Sequence, residues 1–174
     1  MQGFWETDNQ REEQLDRLVL LYEKEITKLC FIYLRDMELA RDAVQETFLK
    51  AYRNLGSYRG AASEKTWLTS IAINTCKDVR RTAWFRYMRT AVSPDSLPLS
   101  VPPPDETRMD LMAAIMRLPL KNREVILLKY RQGMNNEEIA GLLHLTPMAV
   151  SRRMHKAYER LKTFLEEGES SDES

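Results

Sequence analysis

Residues 135 to 162 read NNEEIAGLLHLTPMAVSRRMHKAYERLK, a short apolar run, a break at His144, and a basic run that opens on Thr-Pro. That is the layout of a helix-turn-helix, whose second helix enters a DNA major groove. The first helix starts from a cap at Asn135 or Asn136, carries Glu137 and Glu138 in its positively polarised first turn, and buries Ile139, Ala140, Leu142 and Leu143. His144 falls where the chain reverses, a place that often needs a left-handed residue. Glycine suits such a place best, and histidine visits it more than most side chains. Thr146 caps the second helix, and Pro147 occupies its first position, where a missing amide hydrogen costs nothing.

On the second helix Val150, Met154, Ala157 and Leu161 recur at four, three and four, the spacing of a stripe packed on a partner helix. Met148, Ser151, Arg152, His155 and Lys156 are left facing outward near the helix start. Ser151 and Arg152 suit base edges, whereas Arg153, Lys156 and Arg160 suit phosphates, which position a helix without reading sequence. A solvated amphipathic helix with a meaningless basic face is the plain alternative. Cap, turn and stripe in register are the rarer combination and favour the DNA reading.

The chain of 174 residues is long enough for one ordinary domain or two small ones, and 43% apolar with 30% charged residues is a globular composition. Its formal charge of zero is a sum of unlike parts. Residues 1–14 carry one basic and four acidic groups, 15–85 twelve and nine, 86–106 two and three, 107–166 eleven and six, and 167–174 none and four. Acidic ends thus bracket two mildly basic modules, an excess that implies weak DNA binding unaided. No apolar run reaches membrane-spanning length and no signal pattern opens the chain, so a cytoplasmic location without membrane insertion is expected. Cys30 and Cys76 lie on apolar stripes without a metal set nearby in sequence, and buried free thiols are expected.

Ser93 to Glu106, SPDSLPLSVPPPDE, holds five of the seven prolines. Such density excludes helix and sheet, which predicts an extended linker between helical modules. Ahead of it, Leu15, Leu18, Val19, Tyr22, Ile26, Leu29, Cys30 and Tyr33 form a helical stripe from about Glu12 to Leu34. Asp36 caps a second helix to about Leu55, buried through Met37, Ala40, Val44, Phe48, Ala51, Tyr52 and Leu55. After a turn punctuated by Gly56 and Gly60, Ser63 caps a third helix with Leu68, Ile71, Ala72, Thr75, Cys76 and Val79 as its stripe. The expected boundaries are an acidic tail at 1–14, a helical domain at 15–92, the linker at 93–106, a helix-turn-helix domain at 107–166 and an acidic disordered tail at 167–174.

The outer faces carry their own patterns. Glu38, Asp42, Gln45, Glu46 and Leu49 share one side of the second helix, an acidic patch with an apolar centre that suits a basic groove on a protein. A solvated charged face is the usual meaning of such a pattern, and the residues alone leave it standing. On and after the third helix Lys65, Lys77, Arg80, Arg81, Arg86 and Arg89 interleave with Trp67, Trp84, Phe85 and Tyr87. Basic groups beside stacking rings are the ingredients of a strand-separating surface. The same rings serve equally well as core.

The stretches DMELARDAVQETFLKAYRNL and TWLTSIAINTCKDVRR resemble the polymerase-binding and strand-opening segments of bacterial sigma factors of the extracytoplasmic function type. LPLKNREVILLKYRQGMNNEEIAGLLHLTPMAVSRRMHKAYERLK is similar to the DNA-reading domain of that family, so the resemblance spans about 15 to 165 in family order. It implies core RNA polymerase as partner, through the beta-prime clamp and the beta flap, and promoter DNA as ligand. Asp42, Gln45, Glu46 and Leu49 become the clamp-binding candidates, with Phe48 packing inward. Tyr58, Arg59, Lys65, Trp67, Asn74, Lys77, Arg80 and Arg81 become the minus-ten candidates, the loop from Tyr58 to Ser63 capturing an extruded base. Thr146, Met148, Ser151, Arg152, Arg153, His155 and Lys156 become the minus-thirty-five candidates. Ile73 stands where a basic residue is frequent, which implies one phosphate contact fewer. Pro147 and Met148 replace the usual acidic and glycine residues and obscure the sequence preference.

The expected protein is therefore all-α, two small helical domains joined by a Pro-rich linker, and acts as a sigma factor without covalent chemistry. His144 and His155 are its only histidines, and no nucleophile, phosphate loop or metal set accompanies them, so no cofactor, metal or small-molecule substrate is expected. The alternatives are a polymerase-independent helix-turn-helix repressor or activator, dimeric on a palindromic site, and a helical protein-only adaptor. The resemblance further implies an anti-sigma partner, and a linker threading the polymerase's RNA exit path with Asp95, Asp105 and Glu106 mimicking nucleic acid. Phe4 and Trp5 in the first tail offer a docking element.

Overall fold

The computed structural model describes residues 2–90 and 106–172, with side chains from 8 to 84 and from 111 to 166. Among the described residues there are seven α-helices and no strand, and the chain divides into two compact units, 1–99 and 100–174. The division falls inside the proline-rich stretch. That stretch, Asp95 and Asp105 included, lies outside the described residues, as do the side chains of Phe4, Trp5, Phe85, Arg86, Tyr87, Arg89 and Glu106.

In the first unit α1 (Gln2–Leu34), α2 (Met37–Asn54) and α3 (Glu64–Thr90) each pack against the other two. The chain reverses after α1 through Arg35, which is left-handed at φ 59°, and Asp36 then caps α2 by accepting the Leu39 amide at 2.9 Å. Leu18, Ile26, Leu29, Cys30, Tyr33, Leu68, Ala72 and Cys76 are at most 2% exposed. Each large aliphatic among them contributes about 1.5–3 kcal/mol. Ion pairs from Arg17 to Glu64, Lys65 to Glu25 and Lys50 to Asp78 join α3 to its neighbours at the rim.

Three expectations change here. Helix α1 begins at Gln2, not near Glu12, so the acidic segment is helical. Its Asp8 carboxylate accepts from the Tyr52 hydroxyl at 3.5 Å, and Arg11 lies beside Gly56, where a Cβ would stand 3.1 Å from the guanidinium. Met37 is 40% exposed, and the inner face of α2 is completed by Ala43 and Thr47 instead, the threonine donating to the Ala43 carbonyl at 2.6 Å. Thr69 and Ile73 are fully buried beside the expected α3 stripe. Helix α3 meets two neighbours, so its covered arc is wider than one stripe, and Ile73 packs in the core.

Cys30 and Cys76 are free, as expected, and buried. Their hydrogen bond, together with burial, pushes the Cys76 thiol up and keeps it protonated.

The second unit contains α4 (Glu106–Arg117), α5 (Leu120–Ile126), α6 (Asn136–Leu143) and α7 (Pro147–Asp172). Buried Arg123 donates to the Met116 and Leu118 carbonyls at 3.0 and 3.2 Å, satisfying groups left open where α4 ends. Helix α5 runs on into a widened π turn, Leu127–Arg131, and Gly133 at φ 70° redirects the chain toward α6. Arg117 stacks on Phe164, 4.2 Å from the ring centre, and joins α4 to α7. Helix α7 continues to Asp172, so the acidic C-terminal segment expected to be disordered is mostly helical, with Lys162 and Glu166 paired one turn apart.

Candidate nucleic-acid interface

The reversal between α6 and α7 follows the local chemistry of the chain. Asn135 accepts the Glu138 amide at 2.9 Å, and Glu138 accepts the Asn135 amide at 2.7 Å, a reciprocal capping box. His144 ends α6 in the left-handed region at φ 54° and ψ 47°. Thr146 accepts the Ala149 amide at 3.1 Å, and Pro147 opens α7. Val150 and Ala157 are fully buried and Met154 is 6% exposed, while Leu161 is half-buried.

That packing turns Met148, Ser151, Arg152, His155 and Lys156 to solvent, with Met148 70% exposed. Thr146 is exposed too and, having accepted the cap bond, still has its hydroxyl hydrogen to donate. His155 lies 3.4 Å from Glu159 along the helix. Arg153, expected to suit a phosphate, is bonded within the unit. Its guanidinium donates to Glu124 at 2.8 Å, and the two side chains are 24% and 9% exposed, so it fastens α7 to α5.

In the first unit Tyr58 stacks on Trp67 with ring centres 4.8 Å apart and planes tilted by 33°. The Tyr58 hydroxyl donates to the Ala62 carbonyl and closes the loop on itself. Arg59 projects from that loop, exposed, next to Gly60 at φ 71°. Along α3 Trp67, Asn74, Lys77 and Arg81 succeed one another on the side away from the core, with Arg80 on the flank beside Ile73. Asn74, Arg80 and Arg81 are exposed and Lys77 is half-buried. Two of the basic candidates are already matched by carboxylates, Lys65 by Glu25 at 2.9 Å and Arg81 by Asp78 at 3.3 Å. The Arg81 pair is exposed and of the weak kind, whereas Lys65 and Glu25 are both half-buried. Trp84 is 50% exposed, which removes it from the core.

On α2 Glu38, Asp42, Gln45 and Leu49 are exposed on one side, with Glu46 half-buried at its edge. Arg41 neutralises Glu38 at 2.6 Å, so Asp42 and Glu46 carry the acidity of this face around a 49% exposed Leu49. Phe48 points inward at 8% exposure, as expected.

A further surface went unread in the sequence. A groove of about 610 Å³ in the second unit is lined by Leu111, Ile115, Ile126, Tyr130, Tyr158 and Leu161. The Tyr130 and Tyr158 hydroxyls hydrogen-bond across it, and partial burial with that bond pushes the Tyr158 hydroxyl up to about 12, so it stays protonated. The signal was present in the apolar spacing of Leu111 with Ile115 and of Tyr158 with Leu161, which exceeds what the helix-turn-helix itself buries. Leu20, 86% exposed, and Leu21, 56% exposed, form another such pair on α1. Among the described residues there is no cluster of three metal-ligating side chains, and no helix is long and apolar enough to cross a membrane.

Residues 18–86 match the family model Sigma-70 region 2, and residues 108–161 match Sigma-70, region 4. The chain is 30% identical over 169 residues to the RNA polymerase sigma-H factor of Pseudomonas aeruginosa, covering 87% of this chain and 86% of that one. It is 30% identical over 151 residues to the ECF RNA polymerase sigma factor SigM of Mycobacterium tuberculosis, covering 86% and 76%. Among solved structures, the sigma factor RpoE in complex with the anti-sigma factor NepR from Bartonella quintana superposes with a TM-score of 0.77 at 22% identity, over 88% of this chain and 98% of that one. CnrH, in complex with the cytosolic domain of CnrY, gives 0.62 at 23% identity over 91% and 94%.

Proposed function

Because this chain belongs to the sigma-70 family, among the RNA polymerase sigma factors of the extracytoplasmic function type, we propose that α2 docks on core polymerase while α3 and α7 engage the two promoter elements. It is an initiation factor and not an enzyme. The observation that carries this reading is the pair of family matches, both on one chain and in family order, one on each compact unit. A polymerase-independent repressor would account for the second unit alone and leave the first unexplained.

Each surface has a physical task in this reading. Asp42, Gln45, Glu46 and Leu49 meet a basic, partly apolar element of the beta-prime clamp, with Leu49 supplying the desolvated centre. The groove beneath Tyr130 and Tyr158 receives the beta flap. It draws on α7 downstream of residues 148–156, so polymerase and DNA can hold the unit together. Tyr58 and Trp67 form the platform for an extruded minus-ten base, and Asn74, Lys77, Arg80 and Arg81 track its strand. Met148, Ser151, Arg152, His155 and Lys156 face the minus-thirty-five groove, with Thr146 at its phosphate edge. Arg153 acts as a strut rather than as a phosphate contact.

The place of action is the cytoplasm, where polymerase and promoter meet. An anti-sigma protein covering these faces is the form of control we propose, supported by the fold shared with the sigma factor RpoE, solved in complex with the anti-sigma factor NepR. The test is assembly: purified chain mixed with bacterial core polymerase co-elutes with it and initiates on promoter fragments that core alone ignores.

A further inference from the structure

Three hydrogen bonds run from the π turn into the recognition helix. Lys129 Nζ donates to Asn136 Oδ1 at 3.3 Å, Asn136 Nδ2 donates to Ser151 Oγ at 3.1 Å, and Ser151 Oγ donates to the Pro147 carbonyl at 3.1 Å. The direction of each is fixed by chemistry. An ammonium can only donate, so the amide oxygen of Asn136 faces Lys129 and its NH₂ faces Ser151. A carbonyl can only accept, so the Ser151 hydrogen goes to Pro147, the back-bond that serine makes one turn down a helix. The Ser151 hydroxyl has then spent its hydrogen and one lone pair, and a single acceptor lone pair remains.

From this we infer that Ser151 is an acceptor-only reader of a base amino group in the major groove, and that Lys129 and Asn136 are positioning residues that hold it so. This rests on the promoter-reading function proposed above and adds what is read. Every base pair presents one major-groove amino group, on adenine N6 or on cytosine N4, while thymine and guanine offer only acceptors to that atom. Ser151 therefore distinguishes the orientation of a pair: A·T over T·A and C·G over G·C on the strand it faces. Its oxygen is drawn toward Pro147, at the helix N-terminus, the end that approaches base edges in a helix-turn-helix. The first helix contributes through Asn136, 15 residues from Ser151 in sequence.

The experiment assembles full-length chain with core polymerase and recovers bound fragments from promoters randomised across the upstream element. Wild-type holoenzyme should enrich A or C over T or G about fivefold at one position of one strand, the worth of a single neutral hydrogen bond. Ser151→Ala should abolish that enrichment and leave the other positions unchanged. Ser151→Thr, whose hydroxyl can make the same back-bond, should keep it. Lys129→Met and Asn136→Ala should reduce it at that position only, whereas loss of mere structural support would weaken every position alike. An unchanged profile for Ser151→Ala, or enrichment of T or G at the Ser151-dependent position, overturns the inference. A holoenzyme that selects no upstream element overturns the sigma reading itself, and the inference with it.

Discussion

Arg153, on the recognition helix, donates to Glu124, on α5, at 2.8 Å, with the carboxylate 9% exposed. Removing the arginine takes one charged partner from a nearly buried carboxylate, so Arg153→Met should destabilise the second unit by about 1.5–3 kcal/mol in urea or thermal unfolding, the worth of a hydrogen bond to a charged group. Glu124→Leu combined with Arg153→Met should recover much of that loss, because an apolar pair of similar volume removes the desolvation penalty along with the charge. If Arg153 touched phosphate instead, its loss would lower the salt dependence of DNA binding and leave stability alone.

His144 holds φ 54° between the two helices of the motif. His144→Val should lower stability by roughly 1–2 kcal/mol, since a β-branched side chain is strained there, and His144→Gly should be neutral or stabilising. Equal melting temperatures for all three would show that the turn has other conformations open to it.

The helix-turn-helix was legible because its signals are local: the Asn135 cap, the reversal at His144, the Thr146 cap and the stripe from Val150 to Ala157 all sit within a few residues of what they act on. Partners distant in the chain were not legible. Arg153 precedes Met154 on the edge of the stripe, and only the fold shows that Glu124, 29 residues away, waits for it. Thr69 and Ile73 fall outside the expected stripe for a related reason, as one periodic stripe describes a helix with one neighbour and α3 has two. The tails were read from acidity alone, while contacts such as Asp8 with Tyr52 and Arg11 with Gly56 lie across the bundle. The first unit's candidate site is legible as two patterns, acidic on α2 and basic-aromatic on α3, and the stacking of Tyr58 on Trp67 emerges only when the loop between them closes.

On the exposed face of α7, Arg152 and Lys156 should behave differently although both are basic. Arg152→Ala should weaken binding by about 1–3 kcal/mol at one or two upstream base pairs, and Lys156→Ala should weaken all sequences alike and flatten the salt dependence by about one ion. Binding isotherms on single-substitution promoter sets separate the two. Equal losses on every sequence from both variants would remove Arg152 as a reader.

Glu46 sits half-buried at the edge of the acidic face of α2, beside exposed Asp42 and Leu49. Glu46→Arg puts like charge against a basic partner and should weaken association with core polymerase by roughly tenfold or more. DNA contacts of the second unit should not change. Competition of labelled wild type and variant for a limiting amount of core measures the ratio, and retained competition would take this face out of the interface.

The central claim is tested most directly by mixing the purified chain with bacterial core RNA polymerase, resolving the mixture by size exclusion and transcribing genomic fragments with the complex. The account predicts co-elution and new start sites that share an upstream and a minus-ten element at fixed spacing. A chain that elutes alone, yet binds a palindromic duplex as a dimer, would contradict it.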